Sequence, residues 1–96
     1  MEVILTDRFL QRVEKCSDYT ALDNIPIAVK WARDVFEGCK LLKSHPQSGR
    51  VVPEFDRPEI RELLHGHYWL VYEIKTDRID MLTIWHTSQQ LPTHLE

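Results

Sequence analysis

The sequence predicts an α+β fold in which an N-terminal strand and a two-helix hairpin pack on a small, mainly antiparallel sheet. Apolar residues recur at helical spacing over residues 26–43, which indicates a helix with one buried face. Three short strand-like runs follow at 59–65, 67–75 and 78–86, separated by tight breaks, which is typical of a meander. Because the helices must bury their apolar faces, the sheet is their expected partner, and the predicted order is β-α-α-β-β-β.

The first half of the chain is predicted to form a short strand and two helices. Residues 3–5 are apolar and form the strand, and Thr6 can cap a helix over residues 7–19. Residues 20–25 form a break, and Pro26 suits the first turn of the second helix. That helix has the strongest apolar period of the chain, which consists of Ala28, Trp31, Ala32, Val35, Cys39 and Leu42.

The first helix divides into an apolar face and a charged face. Helical spacing places Leu10 and Val13 on the apolar face, with Phe9 and Cys16 beside them. The other face, for which solvent is the expected environment, carries Arg8, Arg12, Glu14 and Lys15.

The second half of the chain contains the strands that form most of the sheet. Proline and glycine at positions 46 and 49 end the second helix, and residues 51–53 are extended. Side chains alternate between the two faces of a strand. In the middle strand this separates Tyr68, Leu70, Tyr72 and Ile74 from Trp69, Val71 and Glu73. In the last strand it separates Leu82, Ile84 and His86 from Met81, Thr83 and Trp85.

Length and composition indicate an ordinary small globular protein. The 96 residues fit one domain, predicted over 1–90 with a flexible tail at 91–96. No apolar run approaches the roughly 18 residues of a membrane helix, and the N-terminus does not have the pattern of a signal peptide. A cytoplasmic protein that does not bind a membrane is therefore expected. The sequence has no glycine-rich nucleotide loop and no cysteine–histidine metal spacing, so we expect neither a cofactor nor a metal.

The charge is distributed unevenly along the chain. The net charge is −3, but residues 40–61 carry five basic and three acidic side chains, a local charge of +2. Any anion-binding surface is expected to include basic residues of this segment, namely Lys40, Lys43, Arg50, Arg57 and Arg61.

Arg61 and His86 are the pair of residues that can support chemistry. Metal-free cleavage of RNA needs a cation for the phosphorane charge, which suits arginine, and an acid or base, which suits histidine. In the alternative interpretation, Arg61 pairs with a nearby carboxylate and His86 merely ends a strand. Trp69 and Trp85 can stack on bases, although aromatic residues on neighbouring strands more often form cross-strand pairs.

Several segments, taken in order, resemble the RelE/ParE superfamily of toxins from toxin–antitoxin modules. The likeness covers nearly the whole chain and is carried by the helix that begins at Pro26, His45–Phe55, Ile60–Leu63, Gly66–Ile74 and Ile79–His86. Within these segments, Pro-x-Ser-Gly-Arg-x-Val-Pro-Glu and Ile-Arg-Glu-Leu are closer to the ParE branch than to the RelE branch. The resemblance implies two helices on an antiparallel sheet and an antitoxin that wraps around the toxin.

The two branches of the superfamily imply different activities. ParE-like members poison DNA gyrase, whereas RelE-like members cleave mRNA in the ribosome without a metal. By resemblance, Arg61 takes the place of a phosphate-binding arginine, and His86 lies near the place of a catalytic acid or base. Family members often carry basic residues after the terminal histidine, but this chain has no Lys or Arg after Arg78. That departure weakens the nuclease interpretation, because RNA affinity depends on neutralising phosphates.

Three hypotheses follow. The first is a ParE-like toxin that binds a protein target, DNA gyrase, and is neutralised by its cognate antitoxin. The second is a nuclease acting on the ribosome with mRNA through Arg61 and His86, and the third is a relic without toxicity. The expected target- or RNA-binding surface comprises Arg50, Arg57, Arg61, Trp69 and Trp85. A homodimer is left open.

Overall fold

The described part of the chain has its strands and helices in the predicted order, with one additional short strand before the meander. The structure is a computed structural model that describes residues 1–89, so the predicted tail at 91–96 lies outside the described residues. Its elements are β1 (Glu2–Leu5), α1 (Asp7–Ala21), α2 (Ile25–Ser44), β2 (Arg50–Val51), β3 (Ile60–His65), β4 (Tyr68–Ile74) and β5 (Arg78–His86). Neither helix within residues 1–89 has the length and apolar character needed to cross a membrane.

The five strands form one sheet in the order β1-β5-β4-β3-β2. Strands β3, β4 and β5 form the predicted antiparallel meander, and β2 adds to its outer edge. Strand β1 runs parallel to β5 and pairs with residues 78–81 only. The α+β fold with a mainly antiparallel sheet is therefore confirmed. Within the described residues, the second half of β5 pairs with β4 on one side and has no strand on the side of β1.

Side-chain caps fix the N-termini of both helices. The Thr6 hydroxyl accepts a hydrogen bond from the Phe9 N–H at 3.2 Å, as predicted. The Asn24 side chain accepts one from the Ile27 N–H at 3.0 Å, and Pro26 lies in the first turn of α2. Each cap satisfies a backbone donor that the helix itself leaves without a partner.

The main core lies between the two helices and one face of the sheet. A large apolar side chain contributes about 1.5–3 kcal/mol to stability when it is fully buried. The buried members are Phe9, Val13, Val35, Cys39, Leu42, Leu70, Tyr72, Ile79, Met81 and Ile84.

A smaller cluster lies on the face of the sheet away from the helices. Val52, Ile60 and Val71 are buried there, and Phe55 packs against them. The segment between β2 and β3 therefore covers part of this face. The part near Trp69 has no helix over it among the described residues, and we call this side of the sheet the open face.

The predicted faces of β5 are wrong for two residues because the strand contains a bulge. Val71 pairs with Thr83, whereas the next residue, Tyr72, pairs with Met81. Leu82 is thus an extra residue, and an extra residue shifts the alternation of side chains by one. Met81 consequently lies in the main core, while Leu82 packs on the open face.

The predicted faces of α1 also need a correction. Phe9 and Val13 are buried as expected, but Leu10 is 40% exposed, and Arg8 and Arg12 are half-buried. Arg12 is turned toward β5, where the Ile84 carbonyl lies beyond the residues that pair with β1. Thr6 donates to the Met81 carbonyl at 2.6 Å, and Arg12 donates to the Ile84 carbonyl at 3.3 Å.

Candidate functional site

Two arginines and two tryptophans form a row across the open face. Trp69 on β4 and Trp85 on β5 are direct cross-strand partners. The Arg50 guanidinium lies 4.6 Å from the Trp69 ring centroid, and the Arg12 guanidinium lies 5.4 Å from the Trp85 ring centroid. Both distances are within the range of cation–π attraction. We call these four residues the cation–tryptophan row.

Arg50 is held in this row by a buried carboxylate. Its Nε and Nη2 donate to one Glu62 oxygen at 2.8 and 2.7 Å, while 59% of the Arg50 side chain is exposed. Glu62 is only 3% exposed, and burial raises the pKa of its carboxyl group despite the opposing effect of Arg50. The ion pair orients a cation that remains available to a partner.

Arg12 closes the other end of the row at the edge of β5. Its Nε and Nη2 both donate to the Ile84 carbonyl, and its guanidinium reaches the Trp85 ring. The buried Trp85 Nε1 has no hydrogen-bond partner in the described part of the chain. Hydrogen bonds to the Ile84 carbonyl and to Glu62 therefore hold both arginines of the row beside the tryptophan rings.

Arg61 lies on the helix side of the sheet and holds a loop. Its Nη1 donates to the Gly49 carbonyl at 2.8 Å, and its buried Nε has no partner among residues 1–89. Within the described residues, Arg61 therefore does not form the ion pair with a carboxylate that the alternative interpretation expected. It also does not contact the cation–tryptophan row. Its position favours a role in fixing the segment that leads into Arg50.

Tyr72 and Gly49 lock the same segment. The buried Tyr72 hydroxyl accepts a hydrogen bond from the Gly49 N–H at 2.9 Å and donates one to the Pro46 carbonyl at 2.8 Å. A Cβ atom at position 49 would lie 2.7 Å from both the Glu62 carbonyl oxygen and the Tyr72 hydroxyl oxygen. Only glycine allows this approach, which explains the Pro-x-Ser-Gly-Arg motif in structural terms.

His86 ends β5 as a neighbour of Tyr68. Its Nδ1 accepts a hydrogen bond from the Ser88 N–H at 3.1 Å, and its ring meets the Tyr68 ring edge-on at 5.1 Å. Arg61 pairs with Tyr72 across the sheet, whereas His86 pairs with Tyr68. Four residues along a strand and two strand spacings separate Arg61 and His86 by about 16 Å. The structure does not bring these two residues together.

Arg57 lies apart from the row. It donates to Glu59 at 2.7 Å and to Glu73 at 2.8 Å. Glu73 is four residues from Trp69 on β4, which is about 13 Å along the strand. No group of three or more His, Cys, Asp or Glu side chains within the described residues is arranged to hold a metal ion.

Sequence reasoning placed Trp69 and Trp85 on the same surface but missed Arg12. The helical pattern assigned Arg12 to solvent, and no sequence signal shows that β1 ends before the second half of β5. The spacing of Arg8, Arg12 and Lys15 at i, i+4 and i+7 was the available signal, because it places three cations on one side of α1.

Comparisons with known proteins agree with this architecture. A family model described as the ParE toxin of type II toxin–antitoxin systems, parDE, matches residues 3–91. A solved structure from the chromosomal ParDE TA system of P. aeruginosa matches with a TM-score of 0.74 and 22% identity, covering 90% of this chain and 95% of that chain. That likeness shows the fold alone, and among the curated proteins no sequence matches. Since the family model spans nearly the whole sequence, this chain belongs to the family of ParE toxins of type II toxin–antitoxin systems.

Proposed function

We propose that the chain is a toxin that stops growth by binding a protein target, DNA gyrase, and that a cognate antitoxin neutralises it. The observation that carries the proposal is the cation–tryptophan row. Tryptophan and arginine are enriched among the residues that dominate the binding energy of protein interfaces. Here their side chains are held in place before any partner arrives, which lowers the ordering cost of binding.

The same geometry favours binding over cleavage of mRNA. Arg61 donates to the Gly49 carbonyl on the side of β3 that faces away from β5, where His86 lies. Reacting groups need to approach within about 3.5 Å. The backbones of Arg61 and His86 are about 16 Å apart, which does not favour joint action on one phosphate. The row itself contains no histidine, and the Glu62 carboxylate beside it is paired with Arg50.

The sheet edges support the proposal that an antitoxin segment binds by strand addition. Strand β1 pairs with β5 only as far as Met81, so within the described residues the edge of residues 82–86 opposite β4 has no strand paired to it. Exposed strand edges accept a strand from another chain. We therefore expect the antitoxin to contribute an extended or helical segment at this edge. A complex in which the antitoxin leaves the sheet untouched would contradict this expectation.

Expression in a bacterial host tests the proposed toxicity. Wild type should arrest growth, with replication failing while mRNA stays intact, because gyrase is the proposed target. Arg50→Gln and Trp69→Ala should relieve the arrest, whereas Leu22→Ala, a control at an 83% exposed site away from the row, should not. The proteins are compared at equal soluble yield.

Other outcomes of the same experiment identify the two competing hypotheses. Fragmented mRNA that Arg61→Ala and His86→Ala both prevent would establish the nuclease and overturn the proposal. Undisturbed growth with abundant soluble protein would establish a relic.

A further inference from the structure

A pocket lies between α1 and the end of the β4–β5 pair at which Tyr68 lies opposite His86. Its volume is about 430 Å³, which is within the usual range for small-molecule sites. Its lining includes Arg12, Lys15, Cys16, Tyr19, Tyr68 and His86. Arg12 also belongs to the cation–tryptophan row, and His86 ends the edge proposed for the antitoxin strand, whereas Lys15, Cys16, Tyr19 and Tyr68 belong to neither proposed contact.

The lining of the pocket is rich in hydrogen-bond donors, and no Asp or Glu is among its lining residues within 1–89. Burial raises the pKa of the Cys16 thiol and of the Tyr68 hydroxyl, so both groups keep their hydrogens at neutral pH. His86 accepts from the Ser88 N–H at Nδ1, so Nε2 is the ring nitrogen that can donate. Such a lining matches a ligand that accepts hydrogen bonds, which is the chemistry of an anion.

Two cations of the pocket are available to such an anion. The Nε and Nη2 of Arg12 both donate to the Ile84 carbonyl, which orients the guanidinium. Its Nη1 has no hydrogen-bond partner within residues 1–89. Lys15 makes no ion pair with any described carboxylate. By contrast, Arg50 and Arg57, which the sequence placed on an anion-binding surface, each form an ion pair with a glutamate.

We propose that this pocket binds a phosphate monoester group, with Arg12 and Lys15 contacting its oxygens. A phosphate dianion matches two positive side chains, and the arginine fork suits phosphate geometry. Tyr19, which is 75% exposed at the rim, offers an aromatic surface to an organic group attached to the phosphate. A nucleoside monophosphate belongs to this chemical class. This proposal does not rest on the proposed toxicity, although Arg12 belongs to both surfaces.

Titrations of the full chain, followed by backbone NMR shifts and by calorimetry, test this proposal. The probes are inorganic phosphate, adenosine 5′-monophosphate and a dinucleotide that contains only a phosphodiester. We expect the first two to shift resonances of Lys15, Tyr68 and His86 at constant ionic strength. Lys15→Gln should weaken binding about tenfold, as expected for the loss of one charge-assisted contact. Lys30→Gln, at a matched exposed lysine on α2, should leave it unchanged.

The comparison of probes identifies the source of the phosphate. Tighter binding of adenosine monophosphate than of inorganic phosphate indicates a phosphorylated small molecule, and equal binding indicates free phosphate. Both outcomes support the proposal. Shifts that are absent, that arise with the phosphodiester alone, or that respond equally to both lysine substitutions would overturn it.

Discussion

Replacement of Tyr72 by phenylalanine tests whether the segment before Arg50 is locked from within the core. The tyrosine ring is fully buried between the helices and the sheet, and its hydroxyl connects the Gly49 N–H to the Pro46 carbonyl. Phenylalanine keeps the ring and removes only the oxygen. The substitution therefore isolates two hydrogen bonds without opening a large cavity.

The expected loss in the free energy of unfolding depends on how deeply the two hydrogen-bond partners of the Tyr72 hydroxyl are buried. Gly49 is buried, so its N–H is left without a partner, which costs about 1–3 kcal/mol. The Pro46 carbonyl belongs to a half-buried residue and can recover part of its loss from water. We expect a loss of about 2 kcal/mol in the free energy of unfolding, which lowers the melting temperature by roughly 10 °C in a domain of this size.

Urea denaturation and thermal melting measure this loss directly. Tyr19→Phe is the matched control, because Tyr19 is 75% exposed and its hydroxyl makes no hydrogen bond to the described residues. The control should stay within about 0.5 kcal/mol of wild type. A Tyr72→Phe protein that also stays within this margin would refute the claim that the Tyr72 hydrogen bonds hold the segment before Arg50. The Pro-x-Ser-Gly-Arg motif would then need another explanation.

Three further substitutions test the close approach at Gly49 and the burial of Glu62. Gly49→Ala should destabilise the chain by about 1–3 kcal/mol through overpacking. Gly38→Ala, whose Cβ would lie 3.5 Å from Leu70, should be neutral or stabilising, and equal melting temperatures for the two variants would contradict the account. Burial raises the pKa of Glu62, so ionisation costs more in the folded chain than in the unfolded chain. The contribution of Glu62 to the free energy of unfolding is therefore lost as the pH rises from about 4.3, the pKa in the unfolded chain, through the higher pKa in the folded chain. Glu62→Gln should accordingly gain stability relative to wild type between about pH 4 and 7, and a relative loss in urea unfolding would exclude this sign.

The elements of the fold were predictable because their signals are local. Periods of 3.6 and 2.0 residues located both helices and the three strands of the meander to within about two residues at each end. The bulge in β5 was not predictable, because Met81 and Leu82 are both apolar and suit either face of the sheet. The pairing of β1 with β5 likewise depends on packing over a long sequence separation.

The candidate site was predictable only in part. Trp69 and Trp85 belong to neighbouring strands of a meander, so a shared surface followed from their positions. The roles of Arg12 and Arg61 did not follow, because each depends on a backbone carbonyl that becomes a neighbour only in the folded chain. Arg12 reaches Ile84, which is 72 positions away in sequence, and Arg61 reaches Gly49 across the β2–β3 connection.

Inhibition of DNA gyrase supercoiling by the purified chain is the most direct test of the central claim. The account predicts inhibition by wild type and by Leu22→Ala. It predicts a loss of about 30-fold or more in potency for Arg50→Gln or Trp69→Ala, as expected for residues worth about 2 kcal/mol at an interface. No inhibition by folded wild type, or inhibition that both substitutions leave unchanged, would contradict the claim that the cation–tryptophan row binds gyrase.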